Sequence, residues 1–287
     1  MIQIGPASSN SSSKPILIAG CSVRAAVWSA TYAGYSCIAV DQFGDVDLRS
    51  LCPDWRPISL DYRELPDYLF QQKLAGWAYT GGLENHPDLI ESCAEQTPLL
   101  GIGGETLKQL RDPFRLSQVV NAAGGQMPEM RMFSEGVPEV NWVMKPFHSG
   151  GGIRIQRARP DSAGSNDFYY QRRVPGVPYS VSFVVREGEP EILGVARQFI
   201  STSSEILVTR SIRRQSPFLF CGGITAATDE VGGRNRLHAF LTQLVSQLPL
   251  VGLCGIDVMK SPSGEIMVLE INPRYTATME LLERRAG

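Results

Sequence analysis

The sequence lacks the features that mark several large classes of protein. Its six cysteines stand singly at positions 21, 37, 52, 93, 221 and 254, with no CxxC pair, and its 3 histidines form no cluster. This spacing argues against a zinc site and against a disulfide scaffold, and it is typical of a reducing cytoplasm. No apolar run approaches the ~20 residues that a membrane helix needs. Residues 1–14 are rich in serine without the apolar stretch of a signal peptide, so we expect a disordered lead there.

The chain also has no strong excess of charge of either sign. It carries 27 Lys and Arg against 29 Asp and Glu, a formal net charge of −2 over 287 residues. Binding to nucleic acid or to an anionic membrane usually needs a basic patch or tail, which this balance does not indicate. We therefore expect a cytoplasmic protein of two or three domains that acts on small molecules, with no nucleic acid and no membrane as partner. Its oligomeric state stays open.

Strand-like and helical segments alternate through the first part of the chain. They lie at residues 15–19, 25–32, 36–40, 74–80, 87–93, 98–102 and 105–110. This alternation is typical of a doubly wound α/β domain, so we expect a Rossmann-like domain over residues 15–110.

A dinucleotide site is one hypothesis for such a domain, with Asp41 on the ribose. The loop after the first strand supplies Gly20, but Ser22 and Val23 stand where further glycines should let a pyrophosphate approach. We therefore favour a Rossmann-like domain without a dinucleotide, and an NAD-binding oxidoreductase remains an alternative. Ser22 and Arg24 lie at the end of the first strand. They are either contacts to a substrate or a capping serine and a surface arginine.

Three polar residues interrupt two apolar runs near the end of the chain. Asp257 lies in the first run, Glu270 and Asn272 lie in the second, and Ser-Pro-Ser-Gly at 261–264 predicts the turn of a β-hairpin. With a four-residue loop, Asp257 faces Val268 and lies diagonal to Glu270 on the same face, ~7–8 Å away. Carboxylates so close repel each other unless a cation lies between them, and oxygen ligands favour Mg²⁺. The alternative, a solvated polar face, conflicts with the apolar neighbours.

A lysine and a glycine-rich loop lie upstream of this hairpin. A predicted strand at 141–145 ends at Lys145, and a second strand is expected to begin at Ile153. Backbone N–H groups of such a loop can turn towards an anion, and the lysine adds a positive charge for phosphate. The sequence GxxxxGK[ST] is absent, so this is not a P-loop. The loop itself consists of Ser149, Gly150, Gly151 and Gly152.

The middle of the chain predicts strands at 167–174, 179–185 and 191–199 with a Pro-Gly break at 175–178. The backbone edge at this break is suited to pair with a purine. Arg197 and Gln198 interrupt an apolar run and are candidates to face the site, with Arg197 as a candidate for contact with the substrate. Three downstream arginines form either a basic site or, as we favour, a solvated loop: Arg210, Arg213 and Arg214. Helices are expected at 113–123, 232–248 and 277–284, the first with Asp112 as its N-cap.

These elements in this order resemble the ATP-grasp superfamily of carboxylate–amine ligases. The resemblance rests on Lys145 with its loop, on PGVPYSVSF at 175–183, and on a D…ExNPR hairpin that ends at Arg274. It implies an α/β then α+β chain in which two β-rich lobes clasp ATP. The implied domains are a lead at 1–14, a Rossmann-like domain at 15–110, a small lobe at 111–175 and a large lobe at 176–287. The N-terminal GCSVRAAVWSATYAGY is similar to a subset linked to methanopterin-dependent one-carbon metabolism, and a related archaeal member is the tyramine–glutamate ligase of methanofuran synthesis.

The resemblance also implies residue roles. Lys145 and the glycine loop would hold the phosphates of ATP, and Arg274 would neutralise the transferred phosphoryl group or the acyl phosphate. Asp257, Glu270 and Asn272 would bind Mg²⁺, with Mn²⁺ as an alternative. A carboxylate would attack ATP, and an amine or thiol would then attack the acyl phosphate, releasing ADP and phosphate. The hinge that reads adenine through its backbone would consist of Gln171, Arg172, Arg173 and Val174.

The chain departs from the superfamily pattern at two prolines. Pro178 stands where many members carry an acid that grips the ribose, and Pro113 stands where many carry a lysine after an aspartate. Arg111 and Arg115 are nearby and either could replace that lysine as a cation, with different geometry. These departures motivate a second hypothesis, a regulatory module that binds ATP without turning it over.

Overall fold

A computed structural model describes residues 14–136, 141–159, 165–201, 206–209, 212–214 and 217–286. The chain forms two units, which are described separately below. Unit 1 consists of Met1–Leu107 and Pro273–Gly287, and unit 2 of Lys108–Asn272. Residues 1–13 of the predicted lead at 1–14 lie outside the described residues, as do Arg210 and the side chains of Arg213 and Arg214.

Unit 1 is built on a four-stranded parallel sheet in the order β3-β2-β1-β4. Its strands are β1 (Ile16–Gly20), β2 (Cys37–Asp41), β3 (Trp55–Pro57) and β4 (Gly76–Tyr79). Leu17, Ala39 and Trp77 are fully buried, as expected for a parallel sheet that is covered on both faces. Its helices are α1 (Arg24–Tyr32), α2 (Val46–Leu51), α3 (Leu65–Phe70) and α4 (Pro87–Ala94), with a 3₁₀ turn at Leu83–Asn85. The predicted α/β class of this part is confirmed.

Some elements of unit 1 differ from the prediction. The apolar run at 98–102 is not a strand, because it pairs with β4 only through one bridge between Trp77 and Leu99. The sequence analysis did not identify β3, α2 or α3, whose short lengths give too few residues for a clear period.

The C-terminal segment joins unit 1, although the sequence analysis placed it in the large lobe. Helix α8 (Ala277–Ala286) packs against α1. Arg24 donates through both terminal nitrogens to Glu280, at 3.1 and 2.6 Å. Ser29 on α1 also donates to Glu283, which accepts from Tyr275 as well. These tertiary contacts define the boundary at residue 272, and local sequence could not reveal them.

Unit 2 begins with the end of α5 (Gly104–Arg111) and with α6 (Pro113–Ala122). Asp112 caps α6 as predicted, since its carboxylate accepts from the N–H groups of Phe114 and Arg115 at 2.9 and 3.1 Å. A four-stranded antiparallel sheet follows in the order β5-β8-β6-β7. Its strands are β5 (Met130–Met132), β6 (Trp142–Pro146), β7 (Gln156–Arg157) and β8 (Phe168–Arg172).

A second, five-stranded antiparallel sheet has the order β13-β10-β9-β14-β15. Its strands are β9 (Val177–Arg186), β10 (Glu189–Ile200), β13 (Phe220–Ala226), β14 (Gly252–Lys260) and β15 (Ile266–Asn272). Helix α7 (Arg234–Gln247) packs against β10 and buries Leu237, Leu241 and Leu244. A separate ribbon pairs β11 (Ile206–Thr209) with β12 (Ile212–Arg214). The predicted α+β class is confirmed.

All six cysteines carry free thiols. Among the described helices, none combines the length and the apolar character that crossing a membrane requires.

Candidate active site

Asp257 and Glu270 lie directly opposite each other on β14 and β15. The predicted pairing of Asp257 with Val268 is wrong for two reasons. Lys260 pairs with Ile266, so the loop contains residues 261–265, and a bulge then places two residues of β15 opposite one of β14. Together these changes shift the register by two residues. Both carboxylates still share one face, and they are closer than the predicted diagonal arrangement allows.

Two amide side chains hold the carboxylate pair in place. Asn272 Nδ2 donates to Asp257 Oδ2 at 3.1 Å and to Glu270 Oε1 at 3.3 Å, so it bridges the two acids. From β10, Gln198 Nε2 donates to Asp257 Oδ1 at 2.9 Å. The sequence analysis named Arg197 and Gln198, which interrupt an apolar run, as candidates to face the site. The structure brings Gln198 to the acids, whereas Arg197 pairs with Tyr179 and so lies on the opposite face.

The five-stranded sheet separates an apolar face from a polar one. Asp257 pairs with Ser180 on β9, and Gly255 pairs with Ser182, so both serines share the face of the acids. Both serines are buried, and the Ser182 hydroxyl has no hydrogen-bond partner within the described part of the chain. The other face carries the buried apolar residues Val181, Phe183, Ile256, Val258 and Ile271.

Lys145 and Gln171 provide a matching polar pair on the four-stranded sheet. Lys145 pairs with Tyr169, and Val143 pairs with Gln171, so these side chains share one face of β6 and β8. Lys145 Nζ donates to Gln171 Oε1 at 3.3 Å, and both residues are buried. The Gln171 amide nitrogen meets no acceptor among the described residues. A buried donor of this kind is costly unless a ligand or water accepts from it.

The charges of the two sheets act on each other within unit 2. Burial lowers the pKa of the Lys145 ammonium, but the Tyr169 hydroxyl and the Glu270 carboxylate outweigh it, and the pKa lies above its ordinary value. Burial raises the pKa of the Glu270 carboxyl, but the charges of Lys145 and Arg111 outweigh it, and this pKa lies below its usual range. The lysine therefore stays charged and the glutamate ionised, with Lys145 close enough to act on Glu270.

The glycine loop turns through left-handed backbone conformations. Gly151 and Gly152 have φ of 61° and 81°. A Cβ on Gly152 would lie 2.0 Å from the carbonyl oxygen of Phe218, so only glycine fits there. The strand predicted to begin at Ile153 does not form, because the turn continues to residue 154 and the next strand, β7, is only Gln156–Arg157.

Two backbone N–H groups of the predicted adenine hinge already donate hydrogen bonds within the protein. Arg172 N–H donates to Glu129 O at 2.8 Å, and Arg173 N–H donates to Asn141 O at 2.7 Å. Neither N–H is therefore free for a base. The N–H of Val174 has no acceptor in the described chain. Arg172 and Arg173 line a cavity of about 500 Å³, together with Glu129, Arg131, Asn141, Trp142 and Pro175.

Unit 1 contains the other predicted site residues. Arg274 Nε donates to Glu84 Oε1 at 2.8 Å, and its guanidinium lies against Gly81. Glu84 is 1% exposed, and its Oε2 has no hydrogen-bond partner in the described residues. The sequence analysis missed Glu84, which follows the Gly81-Gly82 turn. Ser22 is exposed, whereas Arg24 is engaged with Glu280, which favours the structural alternative for that arginine.

The Asp41 carboxylate is not placed to bind the ribose of a dinucleotide. Its carboxylate is fully buried and accepts from the N–H groups of Val23, Phe43 and Gly44 at 2.7, 2.8 and 2.6 Å. Both oxygens are thus engaged by the backbone, and the residue closes the loops after β1 and β2 instead of facing a ribose.

Solved structures share this fold at low sequence identity. The biotin carboxylase domain of Hydrogenobacter thermophilus 2-oxoglutarate carboxylase, solved with MgADP and bicarbonate, has a TM-score of 0.70 and 13% identity over 94% of this chain. This chain spans 66% of that one. A protein from Archaeoglobus fulgidus assigned to the ATP-grasp superfamily has a TM-score of 0.65 and 17% identity, with 94% of this chain and 84% of that one covered. L-amino acid ligase from Bacillus licheniformis has a TM-score of 0.65 and 14% identity, with 94% and 70% covered.

No protein with a curated description matches the chain significantly. A family model does match, over residues 110–278, and it describes an ATP-grasp domain. The matched span includes Lys145, the glycine loop and the whole hairpin with Asp257 and Glu270. More than half of the sequence is thus covered, and the chain belongs to the ATP-grasp domain family.

Proposed function

We propose that this protein is an ATP-dependent ligase that joins a carboxylate to an amine or a thiol through an acyl phosphate. One observation carries the proposal. Lys145 and Glu270 lie on the polar faces of two sheets in unit 2, close enough that the charge of each shifts the pKa of the other. A buried cation beside a carboxylate pair suits a triphosphate with its metal ion.

The free donors of unit 2 indicate how it would hold the nucleotide. Lys145 supplies a charge for phosphate oxygens, and the N–H groups of the glycine loop supply directional donors. The unpartnered amide nitrogen of Gln171 and the free N–H of Val174 would serve the base.

The acids fit a hard divalent cation. Among the described residues, no group of three or more His, Cys, Asp or Glu side chains forms a complete metal cage. Asp257 and Glu270 with the Asn272 amide match instead the partial set that Mg²⁺ uses when phosphates complete its coordination. When bound, Mg²⁺ or Mn²⁺ would cancel negative charge on the phosphate oxygens.

The proposed reaction has two steps, and residues of this chain stabilise the charge that develops in them. A substrate carboxylate oxygen forms a bond to the γ-phosphorus, the bond to the β–γ bridging oxygen breaks, and ADP leaves. The lone pair of the amine or thiol then attacks the acyl carbon, phosphate leaves, and the proton of the nucleophile passes to solvent. Lys145 would stabilise the transferred phosphoryl group.

The proposed substrate class rests on the N-terminal sequence. The N-terminal resemblance motivates small carboxylate and amine substrates from the biosynthesis of a one-carbon cofactor, an analogue of methanopterin or methanofuran. The six free cysteines motivate a cytoplasmic location.

A regulatory module without turnover is the second candidate. Pro178 lies in β9 opposite Met259, so that position supplies no acid for a ribose. This candidate predicts that ATP binds and that no substrate pair releases ADP.

ADP release tests the proposal across pairs of carboxylates and amines that include glutamate, tyrosine, and pterin or furan precursors. We expect one pair to release ADP with the wild type and Glu270→Gln to abolish it. Glu265→Gln is the matched control, because Glu265 is exposed in the hairpin loop. Release that persists in Glu270→Gln contradicts the mechanism, and ATP binding without ADP release from any pair supports the regulatory module.

A further inference from the structure

Arg111 reaches the glycine loop from the last residue of α5. Its Nη2 donates to the carbonyl oxygens of Phe147 and Ser149, at 3.1 and 2.8 Å. The arginine is partly buried, and it is one of the two cations considered as a replacement for the missing lysine at Pro113. The other, Arg115, is exposed and donates to Gln118 on its own helix at 3.2 Å.

The carbonyl oxygens of residues 149 to 152 in the loop each accept a hydrogen bond. Arg111 holds Ser149 O, and backbone N–H groups of Ile153, Phe220 and Ile155 hold Gly150 O, Gly151 O and Gly152 O at 3.1 to 3.3 Å.

Three N–H groups of the same loop, in contrast, donate no hydrogen bond among the described residues. Those of Ser149, Gly150 and Gly151 meet no acceptor in the described part of the chain. The held carbonyls of Ser149 and Gly150 share their peptides with the N–H groups of Gly150 and Gly151, and within one peptide the two groups point in opposite directions. The loop is thus arranged to offer donors and to withhold acceptors, which suits an anion.

Arg111 also adds charge at the same place. It lowers the pKa of Lys145 and lowers that of Glu270, so its guanidinium is within electrostatic reach of both. Two cations therefore act on the carboxylate that the proposed metal site uses.

We propose that Arg111 is the positioning residue of the phosphate loop. By holding the carbonyls of Phe147 and Ser149, it directs the loop's N–H groups towards the nucleotide phosphates. It thus replaces from the preceding helix the cation that Pro113 excludes. This inference rests on the proposed nucleotide site and goes beyond it, because it assigns loop geometry to one side chain.

Titration calorimetry with ADP and with adenosine, both in Mg²⁺, tests the role. Arg111→Met keeps the length of the side chain but removes its charge and both hydrogen bonds, and Arg111→Lys keeps the charge. We expect Arg111→Met to weaken ADP about tenfold to hundredfold. We expect Arg111→Lys to recover part of this loss, because a lysine can reach one carbonyl. Arg115→Met, the matched control, should bind ADP as the wild type does.

Adenosine separates positioning from general damage, because it lacks phosphates. Its affinity should be unchanged in Arg111→Met. Equal loss of adenosine and ADP would reduce Arg111 to a structural residue and overturn the inference, as would wild-type ADP affinity in Arg111→Met. If the wild type itself binds no ADP, the proposed nucleotide site fails first, so the two failures are distinguishable.

Discussion

The buried ion pair between Glu84 and Arg274 makes a quantitative prediction about unit 1. Glu84 is 1% exposed, the Arg274 side chain is 13% exposed, and the two are 2.8 Å apart. Removal of one partner leaves the other as a buried charge, which typically costs ~3–5 kcal/mol. Removal of both by apolar residues of similar length is close to neutral in comparable pairs. We therefore expect Glu84→Met and Arg274→Met each to lose ~3 kcal/mol, and the double variant to lose much less than their sum, with a coupling of at least ~2 kcal/mol.

Urea unfolding followed by tryptophan fluorescence measures this cycle. Trp28, Trp55 and Trp77 lie in unit 1, so a Trp142→Phe background makes the emission specific for that unit. Asp61→Asn is the control, because Asp61 forms an exposed ion pair with Arg63 and its loss should change little. Single losses as small as that of Asp61→Asn, or losses that simply add, would show that Glu84 and Arg274 do not compensate each other as a buried ion pair.

Three further predictions concern unit 2. Gly152→Ala should weaken ADP binding more than Gly151→Ala, because a Cβ would meet a backbone oxygen at 2.0 Å only at Gly152; calorimetry that ranks them the other way contradicts this. The lowered pKa of Glu270 means that its ionised form stabilises the folded state above the ordinary carboxyl pKa and that this contribution is lost as the pH falls through the lowered value. Without Lys145 the pKa of Glu270 should rise, so thermal melts of Lys145→Met between about pH 3 and pH 7 should lose this stabilisation at a higher pH than the wild type does. A pH profile like that of the wild type would contradict the interaction between Lys145 and Glu270. Asp112→Ala should cost ~1 kcal/mol through loss of the α6 cap, with ADP affinity unchanged in the same preparations.

The carboxylate pair was predictable because its members break a local rule. Asp257 and Glu270 stand in strands that otherwise bury apolar side chains, and such exceptions mark functional positions. Their register was not predictable. It depends on a loop closed by the Ser261 N–H on Glu265 O and on a bulge in β15, and neither leaves a clear sequence signal.

The partners of these residues were harder to find. Gln198 contacts Asp257 across 59 positions of sequence, and Glu84 contacts Arg274 across 190. A single polar residue in an alternating strand, or after a turn, does not reveal what it meets in the fold. For the same reason the sequence placed α8 with the large lobe, since only its contacts with α1 reveal that it belongs to unit 1.

We propose that unit 2 holds a nucleotide through a metal ion on Asp257 and Glu270. The most direct test is the affinity for ADP with Mg²⁺ and with EDTA, for the wild type and for the double variant Asp257→Asn with Glu270→Gln. Mg²⁺ should strengthen ADP binding to the wild type by about tenfold or more, and the double variant should lose this gain while it keeps its affinity in EDTA. A double variant that gains as much from Mg²⁺ as the wild type does would contradict the metal site.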